Sequence, residues 1–304
     1  MEEKQIMTPK NEQSQLEKQI QKEKILKVLK YVFLYTFLCI MAIGVIIPFY
    51  WMLLVSLKTT KELEAPIQSL FTLNPQWINY KIALTTPGFN FGRLLFNTIF
   101  VGVISTAGTL VTTILAAFAF ARLKFKGREA IFSLFMATMM IPGEMMVISN
   151  FKTVVDWGWY QTYTALIVPF LVSVFYIYLL RQTFKQIPDE LYYAAKVDGT
   201  GDFKYLLRIM IPIGLPTIIT ITILKLMGSW NSYVWPNLVA DKEEMRLITN
   251  GLRGAAFYVG DNENLINYPA QMAAVVIVSA PLFLVFIFLR KYIMKGVSRS
   301  GIKG

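Results

Sequence analysis

Six apolar blocks separated by polar loops set the outer limits of what this chain can fold into. They run Tyr31–Leu57, Leu94–Ala121, Ile131–Phe151, Tyr163–Leu180, Leu206–Trp230 and Ala270–Leu289, with 18 to 28 residues in each. A helix rises about 1.5 Å per residue, so each block can cross a hydrocarbon layer of about 30 Å. Isolated strands would leave backbone groups unpaired in lipid, which makes helices the required state. The expected fold class is therefore an all-α membrane protein with six transmembrane helices. The composition, 55% apolar and 16% charged, argues against a soluble globule, which averages about 25% charged residues.

The charges then orient the spans. There are 30 Lys and Arg against 19 Asp and Glu, a net charge of +11. In a soluble chain that excess would point to nucleic acid. Here it sits beside the apolar blocks, so no nucleic-acid partner is expected and contact with membrane lipid is. Seven lysines precede the first span, the loop after the second holds Arg122, Lys124, Lys126 and Arg128, and the loop after the fourth holds Arg181, Lys185, Lys196, Lys204 and Arg208. The tail adds Arg290, Lys291, Lys295, Arg299 and Lys303, while the two long alternate loops, 58–91 and 231–269, hold three basic residues each. The positive-inside rule places both termini in the cytoplasm. The organisation that follows is a cytoplasmic N-terminal arm over 1–30, a six-span domain over 31–290 and a cytoplasmic tail over 291–304. Residues 1–24 lack a small-residue cleavage site and read as a solvated or amphipathic arm rather than a signal peptide. The two long loops exceed what mere connections need. Trp77, Ile78 and Tyr80 form an amphipathic run in one, and Gly251, Gly254 and Gly260 punctuate the other. Both loops are candidate docking surfaces for an outside partner, or a simple lid.

Several chemistries are missing. The chain has no histidine, which removes imidazole acid–base catalysis and histidine metal sites. Its single cysteine, Cys39, lies inside an apolar block and reads as a packing residue. There is no phosphate-binding G-x-x-x-x-G-K-[ST] loop, since Gly199-Thr200-Gly201 is too short and lacks the lysine. No cofactor or metal is expected in this chain.

The loop over 181–205 is the one loop with a helical design. Pro188 suits a first helical turn, Asp189 and Glu190 sit where the helix dipole favours anions, and Gly199 suits the left-handed residue that ends a helix. Pro188 to Asp198 is expected as a short capped helix. Leu191, Ala194, Ala195 and Asp198 recur at helical spacing on one face, and two alanines there would allow a close approach by another protein. Such a rod, tied to spans on both sides, can transmit a push. Beyond it, Pro212, Gly214 and Pro216 should loosen the start of span five and form a hinge between the rod and the rest.

Polar residues inside apolar blocks are costly and suggest function. Glu144 is the one acid in the six blocks, and Lys225 sits five residues before Trp230. Lys225 either faces a pathway or snorkels to the interface. Trp230, Asn231, Tyr233 and Trp235 offer rings and an amide suited to sugars, and an interfacial aromatic belt explains the same rings.

The rod segment resembles the EAA loop of permease subunits of bacterial ABC importers, in the carbohydrate-uptake class similar to the maltose permeases. The residues that carry the likeness are Pro188, Glu190, Leu191, Ala194, Ala195, Asp198, Gly199, Phe203, Ile211 and Pro212. Further matches are Asn97, Ala116 to Arg122, Gly127-Arg128, Met140 to Glu144, Trp230-Asn231, Trp235-Pro236 and the ending Gly301-Ile302-Lys303-Gly304. The resemblance implies the permease fold of type I ABC importers and a non-catalytic membrane subunit. Its implied partners are a second permease, two ATPase subunits that carry ATP-Mg, an extracellular solute-binding protein and a carbohydrate. It also implies that Glu190, Leu191, Tyr193, Ala194, Ala195, Asp198 and Gly199 couple to the ATPase. The chain departs from the pattern at Tyr193, which stands where the family has a glutamate implicated in pairing with the ATPase subunit; Tyr can hydrogen-bond and pack but carries no charge, and Glu190 one turn earlier is the candidate to compensate. An amino-acid or peptide importer subunit and an ion-coupled transporter are the alternatives. Ion coupling usually needs buried mid-membrane carboxylates, and Glu144 near a span end does not supply them. A membrane enzyme finds no paired carboxylates here, and Ser149-x-x-Lys152 is too brief a match to carry one.

Overall fold

The structure, a computed structural model, describes residues 9–255, 257–259 and 262–298. The first eight residues of the arm, Gly260, Arg299 and the ending 301–304 lie outside the described residues. In chain order the elements are α1 (Pro9–Ser56), α2 (Thr60–Glu64), α3 (Ile78–Thr85), α4 (Phe91–Arg122), α5 (Arg128–Thr138), α6 (Val147–Asp156), α7 (Tyr163–Ile167), α8 (Val174–Lys185), α9 (Asp189–Val197), α10 (Asp202–Tyr205), α11 (Ile211–Trp230), α12 (Val234–Val239), α13 (Ile248–Gly254), a small antiparallel pair β1 (Tyr258–Val259) and β2 (Asn262–Ile266), and α14 (Tyr268–Ser298).

Four helical stretches are long and apolar enough to cross a membrane: 20–56, 91–122, 202–230 and 268–288. Spans three and four, expected as single helices, are broken. The third bends by 83° between α5 and a 3-10 turn at Gly143–Met146 that leads into α6. Pro142 causes this: it lacks an N–H and pushes Ile141 out of the helical region. The fourth bends by 41° between a 3-10 turn at Val168–Phe170, which contains Pro169, and α8. Each bent pair counts as one span if the total is to reach six.

The arm is not a separate element either, because helix runs without interruption from Pro9 into the first span. The expected solvated segment carries no Pro or Gly between Pro9 and Gly44, so nothing stops a helix that the apolar block propagates. Cys39 on that helix is exposed rather than packed inside the chain. The most apolar stretch of α1 has no buried residue, and α1 packs mainly along α14, with its last turns also bonded to α3 and the loop before it.

α4 is the central post, packing against α8 on one side and α11 on another. Two main cores form along it. One gathers Ala117, Phe118, Leu180, Phe184, Ala195, Tyr205 and Met210 at the end that carries α9. The other gathers Ala83, Phe89, Leu94, Ile248, Phe257 and Ala270 at the end that carries the long loops. There Gly251 is needed for fit, since a Cβ would lie 2.3 Å from a Leu94 methyl.

Candidate functional site

The sequence of the short helix folds as its caps dictate. α9 starts after Pro188, carries Asp189 and Glu190 in its first turn, and ends before Gly199, whose φ of +70° is the left-handed value glycine adopts cheaply. One face turns out and the other in. Glu190, Leu191, Tyr193, Ala194, Val197 and Asp198 are exposed, whereas Ala195 is buried against the adjoining core. The pair of alanines expected on a single open face is therefore divided, because neighbours in a helix point about 100° apart. Val197, 88% exposed, is the most open of the large apolar side chains on the outer face, ahead of Leu191 and Tyr193.

One arginine ties this helix to the bundle, and a second braces the helix that precedes it. Arg122, the last residue of α4, has a side chain only 4% exposed. Its Nη1 donates to Asp189 Oδ1, and its Nη2 donates to the Phe184 carbonyl at 2.8 Å and to the Ile187 carbonyl. The first of these carbonyls is in the last turn of α8 and the second lies two residues past its end, where the chain leaves the helix and its acceptors run short of helical partners. Arg181, in α8, reaches the other way: Nε donates to the Phe120 carbonyl at 3.1 Å and Nη2 to both Glu129 oxygens at 2.8 and 2.7 Å. Its guanidinium lies 3.8 Å from the Phe132 ring centroid. The Arg181 hydrogen bond holds the Glu129 carboxyl below its ordinary range. The far end of α9 is fastened by Asp202, which accepts from Lys196 Nζ at 2.7 Å and from the Tyr192 hydroxyl at 2.7 Å. Those bonds lower the Asp202 pKa, and the Asp202 contact raises that of Lys196. Tyr193 stands over Lys124, with Nζ 5.7 Å from the ring centroid.

α9 continues through α10 and a π-helical turn at Leu206–Met210 into α11. Pro212, Gly214 and Pro216 lie inside unbroken helix. The irregularity sits one turn earlier than that trio, where the Ile211 N–H bonds the Leu206 carbonyl in an i to i−5 pattern. Gly214 is used for packing, since a Cβ there would lie 2.7 Å from the Phe184 ring.

The six residues considered for a pathway do not converge. Lys225 and Trp235 line one cavity of about 350 Å³, together with Ser105, Ser173, Tyr176, Ser229 and Ser232. Trp230 packs into the core beside Leu94, Tyr233 lies under Arg253 at 4.6 Å, and Asn231 and Glu144 are exposed. Lys225 is half-buried, and its Nζ donates to the Phe170 carbonyl at 3.0 Å. That carbonyl is freed by the break in span four. The hydroxyls of Thr109 and Thr112 cover the same break, donating to Phe170 and Leu171 carbonyls at 2.9 and 2.6 Å. Gly108 permits the approach, since a Cβ would lie 2.4 Å from Leu171. In lipid such carbonyls must be satisfied from inside the protein.

At the other end of α4, Asn97 donates to the Glu244 and Arg246 carbonyls at 2.8 and 3.1 Å and accepts from the Tyr163 hydroxyl at 2.8 Å. The Trp235 indole donates to the Ala165 carbonyl at 2.9 Å. Sequence reading missed the roles of Arg122, Arg181, Thr109 and Thr112. The threonines carry no signal beyond polarity within an apolar block, Arg181 enters only as a charge, and Arg122 only as a charge and as the end of a family-like segment.

The family model described as "Binding-protein-dependent transport system inner membrane component" matches residues 108–299. The arabinooligosaccharides transport system permease protein AraQ of Bacillus subtilis (strain 168) is 30% identical over 270 residues, which is 88% of this chain and 94% of that protein. The sn-glycerol-3-phosphate transport system permease protein UgpE of Rhizobium meliloti (strain 1021) is 31% identical over 263 residues, 84% of this chain and 92% of that one. Among solved structures, a bacterial ABC transporter involved in the import of the acidic polysaccharide alginate superposes with a TM-score of 0.77 at 22% identity, over 89% of this chain and 97% of that one. At that identity the match is one of fold.

Proposed function

The chain belongs to the family of binding-protein-dependent transport system inner membrane components, and on that premise we propose that it is one permease half of an ATP-driven sugar importer. The two relatives, named for arabinooligosaccharide and glycerol-phosphate uptake, support the substrate class. A second permease would complete the pathway, two ATPase subunits would hold ATP-Mg, and an outside binding protein would deliver the sugar. The distribution of Lys and Arg supports cytoplasmic termini and a cytoplasmic α9.

One observation carries the mechanism: α9 shows Glu190, Tyr193, Ala194, Val197 and Asp198 outward while Arg122 ties its first turn to α4, and Arg181 braces the preceding α8 against α4 and α5. A motor subunit gripping that outer face moves α9, and the locked root carries the displacement into the bundle as a rigid lever. Tyr193 supplies an aromatic contact in place of a carboxylate, and Glu190, one turn earlier, and Asp198 give that face its negative charge. Neighbouring alanines provide the test. Ala194→Arg should abolish ATP-driven uptake and weaken co-purification of the ATPase subunit, with the unfolding temperature unchanged. Ala195→Arg should instead lower that temperature, because it drives a charge into the core. Normal uptake by Ala194→Arg would refute the docking role.

A further inference from the structure

The cavity between α4, the break in span four and α11 has a one-sided chemistry. Lys225 projects into it, and no carboxylate is among the residues that line it. None of the ion pairs found among the described residues includes Lys225. Its ammonium has three donors, of which the Phe170 carbonyl takes one. The hydroxyls of Ser229, Ser232 and Tyr176 also line the cavity and make no hydrogen bond among the described residues. Trp235 and Phe170 supply aromatic walls. A carbonyl cap alone would be met by a hydroxyl, as Thr109 already shows at the same oxygen. A full positive charge without a counter-ion, in a cavity within the apolar part of the chain, is an electrostatic vacancy that a ligand anion fills.

We infer that this cavity is a subsite for a small polyhydroxylated solute bearing an anionic group, a carboxylate or a phosphate, with Lys225 as its counter-ion and the serine and tyrosine hydroxyls meeting the hydroxyls. Lysine acts on such groups as a point charge, and a volume near 350 Å³ is at the small end of ligand cavities. The inference rests on the importer reading above and adds the charge of the cargo.

The test uses the importer assembled with its partner subunits in vesicles and four labelled probes: glycerol 3-phosphate, a galacturonic acid dimer, maltose and an arabinose dimer. The wild type should take up at least one anionic probe. Lys225→Met should cut that uptake tenfold or more and leave any neutral probe within twofold, while Lys225→Arg stays within threefold of wild type. The phosphate and uronate arms tell which anion is meant. Wild-type uptake of neutral probes alone would overturn the inference, as would equal losses of anionic and neutral uptake in Lys225→Met, since that marks a purely structural cap. If no probe enters in an ATP-dependent way, the importer reading itself fails. The subsite is then judged on the full chain in lipid nanodiscs by acylation of Lys225. Slowing of at least threefold by either anionic probe and not by maltose upholds it, and no slowing overturns it.

Discussion

Arg122 ends an apolar helix and meets three acceptors around the junction of α8 and α9, Asp189 and the carbonyls of Phe184 and Ile187. Its replacement removes the side-chain donor to the Ile187 carbonyl and one of the donors to the Phe184 carbonyl, as well as an ion pair. Arg122→Gln should therefore destabilise the chain by about 1–3 kcal/mol, read as a lower unfolding temperature in detergent. ATP hydrolysis by the assembled importer should persist while uptake falls, because the lever loses its root before the motor loses its grip. Asp202 allows a sharper check by pH. Its pKa lies below the ordinary 3.8, chiefly through the Lys196 contact, so its stabilising contribution is present above that value and disappears as pH falls through the lower folded-state pKa. Lys196 lies above its ordinary 10.5, so its share holds below that value and is lost as pH rises beyond it. The gap in unfolding temperature between wild type and Asp202→Asn should stay constant from about pH 5 to pH 9. It should close below 3.8.

At the scale of elements, the two broken spans follow from prolines that the apolar pattern hides. Hydropathy counts Pro142 and Pro169 within two continuous blocks, whereas the backbone loses a donor at each and bends. The break in span four survives because α4 offers hydroxyls where the carbonyls emerge and a glycine where the chain must come close. Gly108→Val should thus act as overpacking against Leu171, costing about 1–3 kcal/mol. Thr112→Val should cost a comparable amount by leaving the Leu171 carbonyl with no donor. Thermal unfolding of both variants in detergent is the measurement, with Gly92→Ala as a control, since its nearest neighbour is a side-chain oxygen 3.8 Å away. The short α9 was legible in full because capping is local: Pro188, Asp189 and Gly199 act within one turn. Which of its alanines faces out was not legible, because burial depends on Tyr205 and Leu206 arriving from the following turn.

The whole molecule leaves much of its apolar surface open, above all on α1, which touches the bundle mainly through α14. Lipid and a second permease are the surroundings that such a surface needs. The arrangement also predicts sidedness. In a Cys39→Ser background, Lys204→Cys should react with an impermeant maleimide only from the cytoplasm and Gln68→Cys only from outside. Both positions are exposed. Labelling of the two from one side would reverse the topology on which the proposed coupling depends.

Block length, charge asymmetry, the missing phosphate loop and the capped rod belong to the sequence alone, since each rests on local composition or on residues within a few positions. A helical membrane protein with a small helix between its fourth and fifth spans follows from them. The tertiary structure decided the rest: that Arg122 roots the rod and Arg181 braces the helix before it, that Gly214 packs against Phe184 inside unbroken helix, and that Lys225 lines a cavity while Trp230 packs elsewhere. Those outcomes join residues dozens of positions apart, and a buried charge or a freed carbonyl finds its partner only after the helices have been brought side by side.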